Sequence, residues 1–327
     1  MLSVIIPNYN HSKYLPSLIE SILAQEFQQL EIIIIDDCST DNSVDVIEKI
    51  ILDSKLFVFL KNSNNQGVVS TANRGASIAS GKYIYFAAAD DIILPGFFKE
   101  SIEMLENNKN AGLCSALSKT INPAGQTACI NPYFPMSFKS YIPPDQCRKF
   151  LRENGTWMMG TSTIFKKEVF LECGSLNESF GPLSDVLIEM IISVKYGVCF
   201  IPTLYSYQRL ISNSYSAQIA QDTDKLISYV NVVSTIMTKN YSHLFDSDFI
   251  NYWKEREILF CKLSDFKRSI IKLSKSACRI FNFNRYFIFF CLIPLIFIVI
   301  LITLLFRFKS FLFILKRYIK SIVSDEN

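Results

Sequence analysis

GKYIYFAAADD, Gly81–Asp91, is an apolar and aromatic run that stops at two adjacent carboxylates. An unbroken apolar run of this length suits a strand buried on both faces, and such strands belong to parallel sheets covered by helices on each side. In open α/β sheets, ligands bind beyond the carboxyl ends of the strands. Asp90 and Asp91 fall there. Neighbouring carboxylates at a buried strand end are costly unless something neutralises them. A hard divalent cation that also takes phosphate oxygens does so.

The same pattern repeats toward the N-terminus. Ser3–Pro7 is apolar and β-branched and leads into Asn8-Tyr9-Asn10. Glu31–Ile35 ends at Asp36-Asp37, and Phe57–Leu60 leads into the polar run Asn62–Gly67. Between and after these strands, helical spacing predicts helices over His11–Gln25, Ser43–Leu52, Val68–Ala79 and Pro95–Asn107. Strand and helix alternate, which predicts an α/β domain around a mostly parallel sheet. Four strand ends carry polar or acidic groups, so the topology argues for one shared site. Asn10, Ser39, Asp41 and Asn42 also suit helix N-termini. Caps account for Ser39–Ser43 but not for carboxylate doublets still on the strand ends.

Beyond Asn107 the regularity weakens. Residues 111–160 read as short elements and loops, with a short helix in Pro143–Glu153. Thr161–Phe165 reads as a strand, Lys167–Cys173 as a helical turn and Val198–Pro202 as a strand. Leu183–Tyr196 reads as an amphipathic helix, and residues 221–282 read as helices.

No G-x-G-x-x-G and no G-x-x-x-x-G-K-[ST] occurs, which argues against a dinucleotide-binding Rossmann domain and a P-loop enzyme. The net charge of +3 on 327 residues is too small to indicate a nucleic-acid partner, and none is expected. The nine cysteines form no C-x-x-C pair, so neither a zinc site nor a disulfide framework is expected. With only two histidines, His11 and His243, catalysis by a histidine cluster is not expected.

Half the residues are hydrophobic, and the excess is concentrated near the C-terminus. Tyr286–Phe306 contains no Asp, Glu, Lys or Arg, and about 20 such residues cross the hydrocarbon of a bilayer. Lysines and arginines flank it on both sides, so orientation is left open between one span and a re-entrant segment kinked at Pro294. The following tail, Arg307–Val323, is basic and partly amphipathic and suits an anionic lipid surface. No N-terminal signal precedes the first strand. The expected organisation is a catalytic domain over 1–220, a helical connector over 221–282 and a membrane helix with basic tail over 283–327. The expected location is membrane-associated, with the catalytic domain cytoplasmic.

SVIIPNYN (Ser3–Asn10), EIIIIDDCSTDNS (Glu31–Ser43), NNQGVVSTANRG (Asn64–Gly75) and GKYIYFAAADD stand in an order and spacing that resemble family 2 glycosyltransferases. The resemblance is close over about the first 110 residues and fainter to about residue 216. It implies a GT-A fold and inverting transfer from a nucleotide-diphosphate sugar, a UDP-sugar being expected, with Mg2+ or Mn2+. Pro7 and Tyr9 would border the base, and Asp37 would hydrogen-bond it with Asp36 alongside. Asn65 and Gly67 would shape the nucleotide pocket, with Asn73 and Gly75 on the helix that follows. Asp90 would lie near the ribose and Asp91 would bind the metal. YSYQRLISNSYS (Tyr205–Ser216) resembles the segment that closes over the diphosphate, with Arg209 as a phosphate contact.

Inversion needs a base for the acceptor hydroxyl. The second half offers Glu178, Asp185 and Glu189, and Asp185 matches the family position best. Asp185 also suits the first turn of a helix, where a carboxylate favours the dipole. Trp157 and Gly160-Thr161 are read either as a border of the acceptor or as core. Two positions depart from the family pattern. Ala88 stands where an acidic residue is common, and Thr71-Ala72-Asn73 lacks an arginine, though Arg74 is adjacent. The expected acceptor is a glycan or lipid-linked glycan. The alternatives are a non-catalytic, membrane-held scaffold for sugar nucleotides or glycans and, less well, a nucleotidyltransferase. The last needs a glycine-rich loop after the first strand, where this chain has Pro7–Asn10.

Overall fold

A computed structural model describes residues 1–51, 54–122, 125–131, 136–211 and 214–281. The chain divides into two compact units, residues 1–214 and the residues from Tyr215 onward.

The first unit opens with β1 (Leu2–Asn8), α1 (Leu15–Leu23), β2 (Leu30–Asp36), α2 (Ser43–Ile50), β3 (Phe57–Lys61), α3 (Val68–Ile78) and β4 (Tyr83–Phe86). It continues with β5 (Ile92–Ile93), α4 (Phe97–Asn107), β6 (Leu113–Ile121), β7 (Thr127–Asn131), β8 (Ser140–Ile142) and α5 (Pro144–Asn154). Then come β9 (Thr163–Lys166), α6 (Lys167–Glu172), α7 (Ser184–Tyr196) and β10 (Val198–Arg209). The sheet runs β3-β2-β1-β4-β9-β6-β10-β5, with β7 on β6 and β8 on β10. Pairing is parallel throughout β3-β2-β1-β4, as the apolar strands predict. Beyond β4 the sheet is mixed. β9 lies antiparallel between β4 and β6, while β6 and β10 are parallel to each other.

Strand alternation sorts the core. Val4, Ile6, Ile32 and Ile34 share one buried cluster with Leu15, Leu18 and Ile22 of α1, Ile47 of α2 and Phe97-Phe98 of α4. Ile5 points to the other face, toward α3. A side chain at Gly75 would overlap the Ile5 Cγ2 methyl, so glycine sets the distance between α3 and the sheet.

Four expectations change on contact with the structure. α1 begins at Leu15, not His11, because Asn10 and Ser12 are tied to the loop after β2. There the Asn10 Oδ1 accepts from Thr40 N–H at 2.7 Å and Ser12 N–H donates to Asp41 at 3.1 Å. Residues 111–160 hold a nine-residue strand, β6, where short elements were expected. β10 extends to Arg209, so Tyr205–Arg209 is sheet and not a closing loop. α7 is not amphipathic: Leu187 through Val194 are all buried, because α5, α6 and β6 pack around it.

The second unit holds α8 (Tyr215–Ala220), α9 (Thr223–Asn240) and α10 (Ser247–Phe281). Asp222 caps α9 by accepting from Lys225 N–H at 2.9 Å. α9 and α10 pack against each other. Among the described residues, no helix is long and apolar enough to cross a membrane. The apolar stretch Tyr286–Phe306 and its basic tail lie outside the described residues.

Candidate active site

Two acidic doublets close the parallel strands, and they have different surroundings. Asp36 is buried and turned inward. Its Oδ1 accepts from Asn8 Nδ2 at 2.8 Å and its Oδ2 from Ser39 N–H at 2.9 Å, which locks β1 to the loop after β2. Asp37 organises the loop after β3. It accepts from Asn62 Nδ2 at 2.7 Å, Gln66 N–H at 2.8 Å and Gly67 N–H at 2.9 Å. Gly67 has φ +86°, a left-handed conformation that glycine takes without strain. Asn65 Oδ1 also accepts from Gly67 N–H, at 3.1 Å. Tyr9 is exposed at the rim, one residue past the end of β1, and Pro7 is half-buried within it.

Asp90 and Asp91 sit differently. Both are buried, Asp91 at 3% exposure. Asp91 Oδ1 accepts from the Arg209 backbone N–H at 3.0 Å, but its Oδ2 is buried with no hydrogen-bond partner. Burial, then the adjacent Asp90 charge, pushes the Asp91 carboxyl well above the ordinary range. Burial also raises Asp90, opposed by the neighbouring His11 and Arg209. Arg209 Nε donates to the Asp90 carbonyl at 3.0 Å, and its guanidinium lies over the Tyr14 ring, 5.2 Å from the centroid. Two carboxylates with one orphaned buried oxygen fit a hard divalent cation that completes its shell with phosphate and water. Among the described residues no cluster of three or more His, Cys, Asp or Glu could hold a metal, so the protein would supply at most this pair and the diphosphate and water the rest.

Asp185 opens α7. It is open to solvent, yet protein surrounds it closely, and that desolvation pushes its carboxyl above the ordinary range. Gly160 lies against it: a Cβ there would stand 3.2 Å from Asp185 Oδ2.

Asp90, Asp91, Arg209, Tyr14 and His11 come together at the ends of β4 and β10. His11 was missed in the sequence, because a lone histidine after a strand carries no pattern. Asn73 has a structural engagement instead. Its amide donates to the Leu176 carbonyl at 2.8 Å and accepts from the Leu176 N–H at 3.2 Å, clamping α3 to the segment after α6. Arg74 bonds to Asn62, which leaves it bracing the loop after β3. Trp157 is core, 1% exposed and edge-on to Phe150. Cys38, Cys114, Cys147, Cys173, Cys199 and Cys261 are free thiols.

The Glycosyl transferase family 2 profile matches residues 3–174, more than half of the chain. The chain belongs to glycosyl transferase family 2. An uncharacterized glycosyltransferase of Haemophilus influenzae is 28% identical over 190 residues, covering 57% of this chain and 59% of that protein. UDP-Glc:alpha-D-GlcNAc-diphosphoundecaprenol beta-1,3-glucosyltransferase WfaP of Escherichia coli is 36% identical over 109 residues, covering 33% of this chain and 43% of that one. The chain thus spans less than two thirds of the length of these curated relatives. Among solved structures, S. aureus TarS 1–349 in complex with UDP-GlcNAc superposes with a TM-score of 0.58 at 16% identity, over 81% of this chain and 72% of that one. The mannosyltransferase PcManGT of Pyrobaculum calidifontis, in complex with GDP-Man and Mn2+, superposes with a TM-score of 0.56 at 13% identity, over 99% and 85%. At these identities the family 2 chain shares their fold.

Proposed function

We propose that this chain is an inverting, metal-dependent glycosyltransferase that moves a sugar from a UDP-sugar to a hydroxyl of a lipid-linked glycan. The observation that carries it is the buried, partnerless Asp91 Oδ2 beside Asp90 at the carboxyl ends of the strands. The names of WfaP, a UDP-glucose enzyme acting on a diphosphoundecaprenol-linked sugar, and of the TarS complex with UDP-GlcNAc support the donor and acceptor classes.

Pro7 and Tyr9 border the base, and the loop held by Asp37, with Asn65 and Gly67, forms the pocket edge. Asp36 and Asn73 act from behind, by fixing β1 and α3. Asp91, with Asp90, would hold a divalent ion, Mg2+ or Mn2+. When bound, the ion neutralises charge on the leaving diphosphate. Arg209 adds a second positive charge at the same place. Asp185 takes the proton of the acceptor hydroxyl as its oxygen attacks the anomeric carbon. The bond to the diphosphate breaks on the opposite face, releasing UDP with inversion. The catalytic domain, over 1–220, works at the cytoplasmic face of a membrane, with 221–282 connecting it to the lipid-bound residues 283–327.

The test is UDP release from a panel of UDP-sugars with Mn2+ and a polyprenyl-diphosphate-sugar acceptor. Release from at least one donor, lost in both Asp91→Asn and Asp185→Asn, is expected. Metal-dependent UDP binding without release from any donor favours the non-catalytic scaffold, the reading that Ala88 supports.

A further inference from the structure

Glu189 breaks the rules of the core in which it sits. It is 1% exposed on a helix whose neighbours from Leu187 to Val194 are all buried. Its Oε1 has no hydrogen-bond partner. An unsatisfied buried carboxyl costs stability that a leucine of similar size would not. Departures of this kind concentrate at functional sites.

Its neighbours supply the reason. Glu189 lies one helical turn after Asp185, on the same side of α7. The Thr163 hydroxyl faces it from β9. The same hydroxyl lies 2.8 Å from the Met159 carbonyl and 3.5 Å from the Ser115 hydroxyl. Burial, then the Asp185 charge, pushes the Glu189 carboxyl well above the ordinary range, opposed by the Thr163 hydroxyl. The short 3-10 turn Gly160–Ser162 lies between Met159 and Thr163. Ser162 anchors this turn to the Ala116 carbonyl at 2.8 Å, and Gly160 abuts the Asp185 carboxylate. One buried side chain therefore stands between the helix that carries Asp185 and the turn that faces it.

We propose that Glu189 is a positioning residue for Asp185: it joins α7 to the Met159–Thr163 segment and sets the gap between the Asp185 carboxylate and Gly160 through which the acceptor hydroxyl reaches the base. This rests on the assignment of Asp185 as that base. Glu189 touches neither donor nor acceptor.

The experiment compares Glu189→Gln, Glu189→Leu and Asp185→Asn in the full chain. It uses the UDP-sugar and acceptor that support turnover, and records kcat, the donor KM and Tm. Glutamine keeps the shape and a polar end, so its kcat stays within about threefold of wild type. Leucine removes the join, and kcat falls by at least about tenfold, since a small misplacement of a base costs up to ~100-fold. In the leucine variant the donor KM stays unchanged and Tm is equal to or above wild type, because the orphaned carboxyl is gone. Wild-type kcat in Glu189→Leu, with Asp185→Asn inactive, overturns the positioning role alone. So does a parallel loss of Tm and kcat in both Glu189 variants, which marks a role in folding only. Wild-type turnover in Asp185→Asn instead overturns the base assignment itself.

Discussion

Asp91 holds one oxygen satisfied and one buried without a partner, beside a second carboxylate. In the absence of a cation this arrangement opposes folding at neutral pH. Its pKa is raised in the fold, so the folded state holds the proton more tightly than the unfolded chain. The carboxyl's contribution is therefore most favourable below the unfolded value, near 4, and declines as pH rises through the folded value. Mn2+ at about 100 times its Kd adds roughly 2.7 kcal/mol to the folded state. We expect differential scanning fluorimetry at pH 7 to show this as a rise in Tm. In Asp91→Asn the metal-free Tm should increase and the Mn2+ response disappear. Asp185 carries a second pH signature. It works as the ionised base, and desolvation raises its pKa. Turnover should therefore fall with decreasing pH along a limb centred above the ordinary Asp value of about 4, measured as kcat/KM against pH. A limb at or below that value would contradict the desolvated position of Asp185.

At the scale of elements, the closest fit is α3 on β1. Gly75 lets the helix lie directly on Ile5. Gly75→Ala must push α3 outward or distort β1, and overpacking of this kind costs about 1–3 kcal/mol. The expected result is a lower urea midpoint with an unchanged slope, and weaker UDP binding, because α3 also carries the Gly67 loop at its start. What was legible in the sequence follows the same line. β1 and β2 bury both faces and end in polar groups, and β4 is followed four residues on by Asp90-Asp91, so apolar runs and doublets marked them. The roles inside the doublets were not legible. Asp37 is bound by Asn62, Gln66 and Gly67, and Asp91 by the Arg209 N–H, partners set by sheet order and loop closure. β10 is read only to Pro202 because register shifts near Leu204 break its alternation before Ser206–Arg209 rejoin β6. The burial of α7 was missed for a related reason. A helix enclosed on all sides carries no polar stripe, and the charge of Glu189 imitated one.

Over the whole molecule, charge and apolarity are partitioned. Carboxylates gather at the strand ends of residues 1–214, while lysines and arginines flank Tyr286–Phe306. If the latter stretch is the lipid-bound part, the full chain should co-sediment with vesicles containing phosphatidylglycerol, whereas a chain ending at residue 282 stays in the supernatant. Equal sedimentation of the two chains would remove the membrane assignment and leave the proposed transfer chemistry untouched.

The sheet order also governs how the chain leaves the ribosome. β1 to β4 follow one another closely, so their four-stranded sheet can assemble as soon as residue 86 is free. The outer side of β4 then waits for β9, which arrives about 80 residues later. At roughly 5–20 residues per second that is about 4–15 s of synthesis with open N–H and C=O groups along Ile84 and Tyr85. The nascent N-terminal half therefore carries this open edge in addition to that of β3, which stays an edge in the finished sheet.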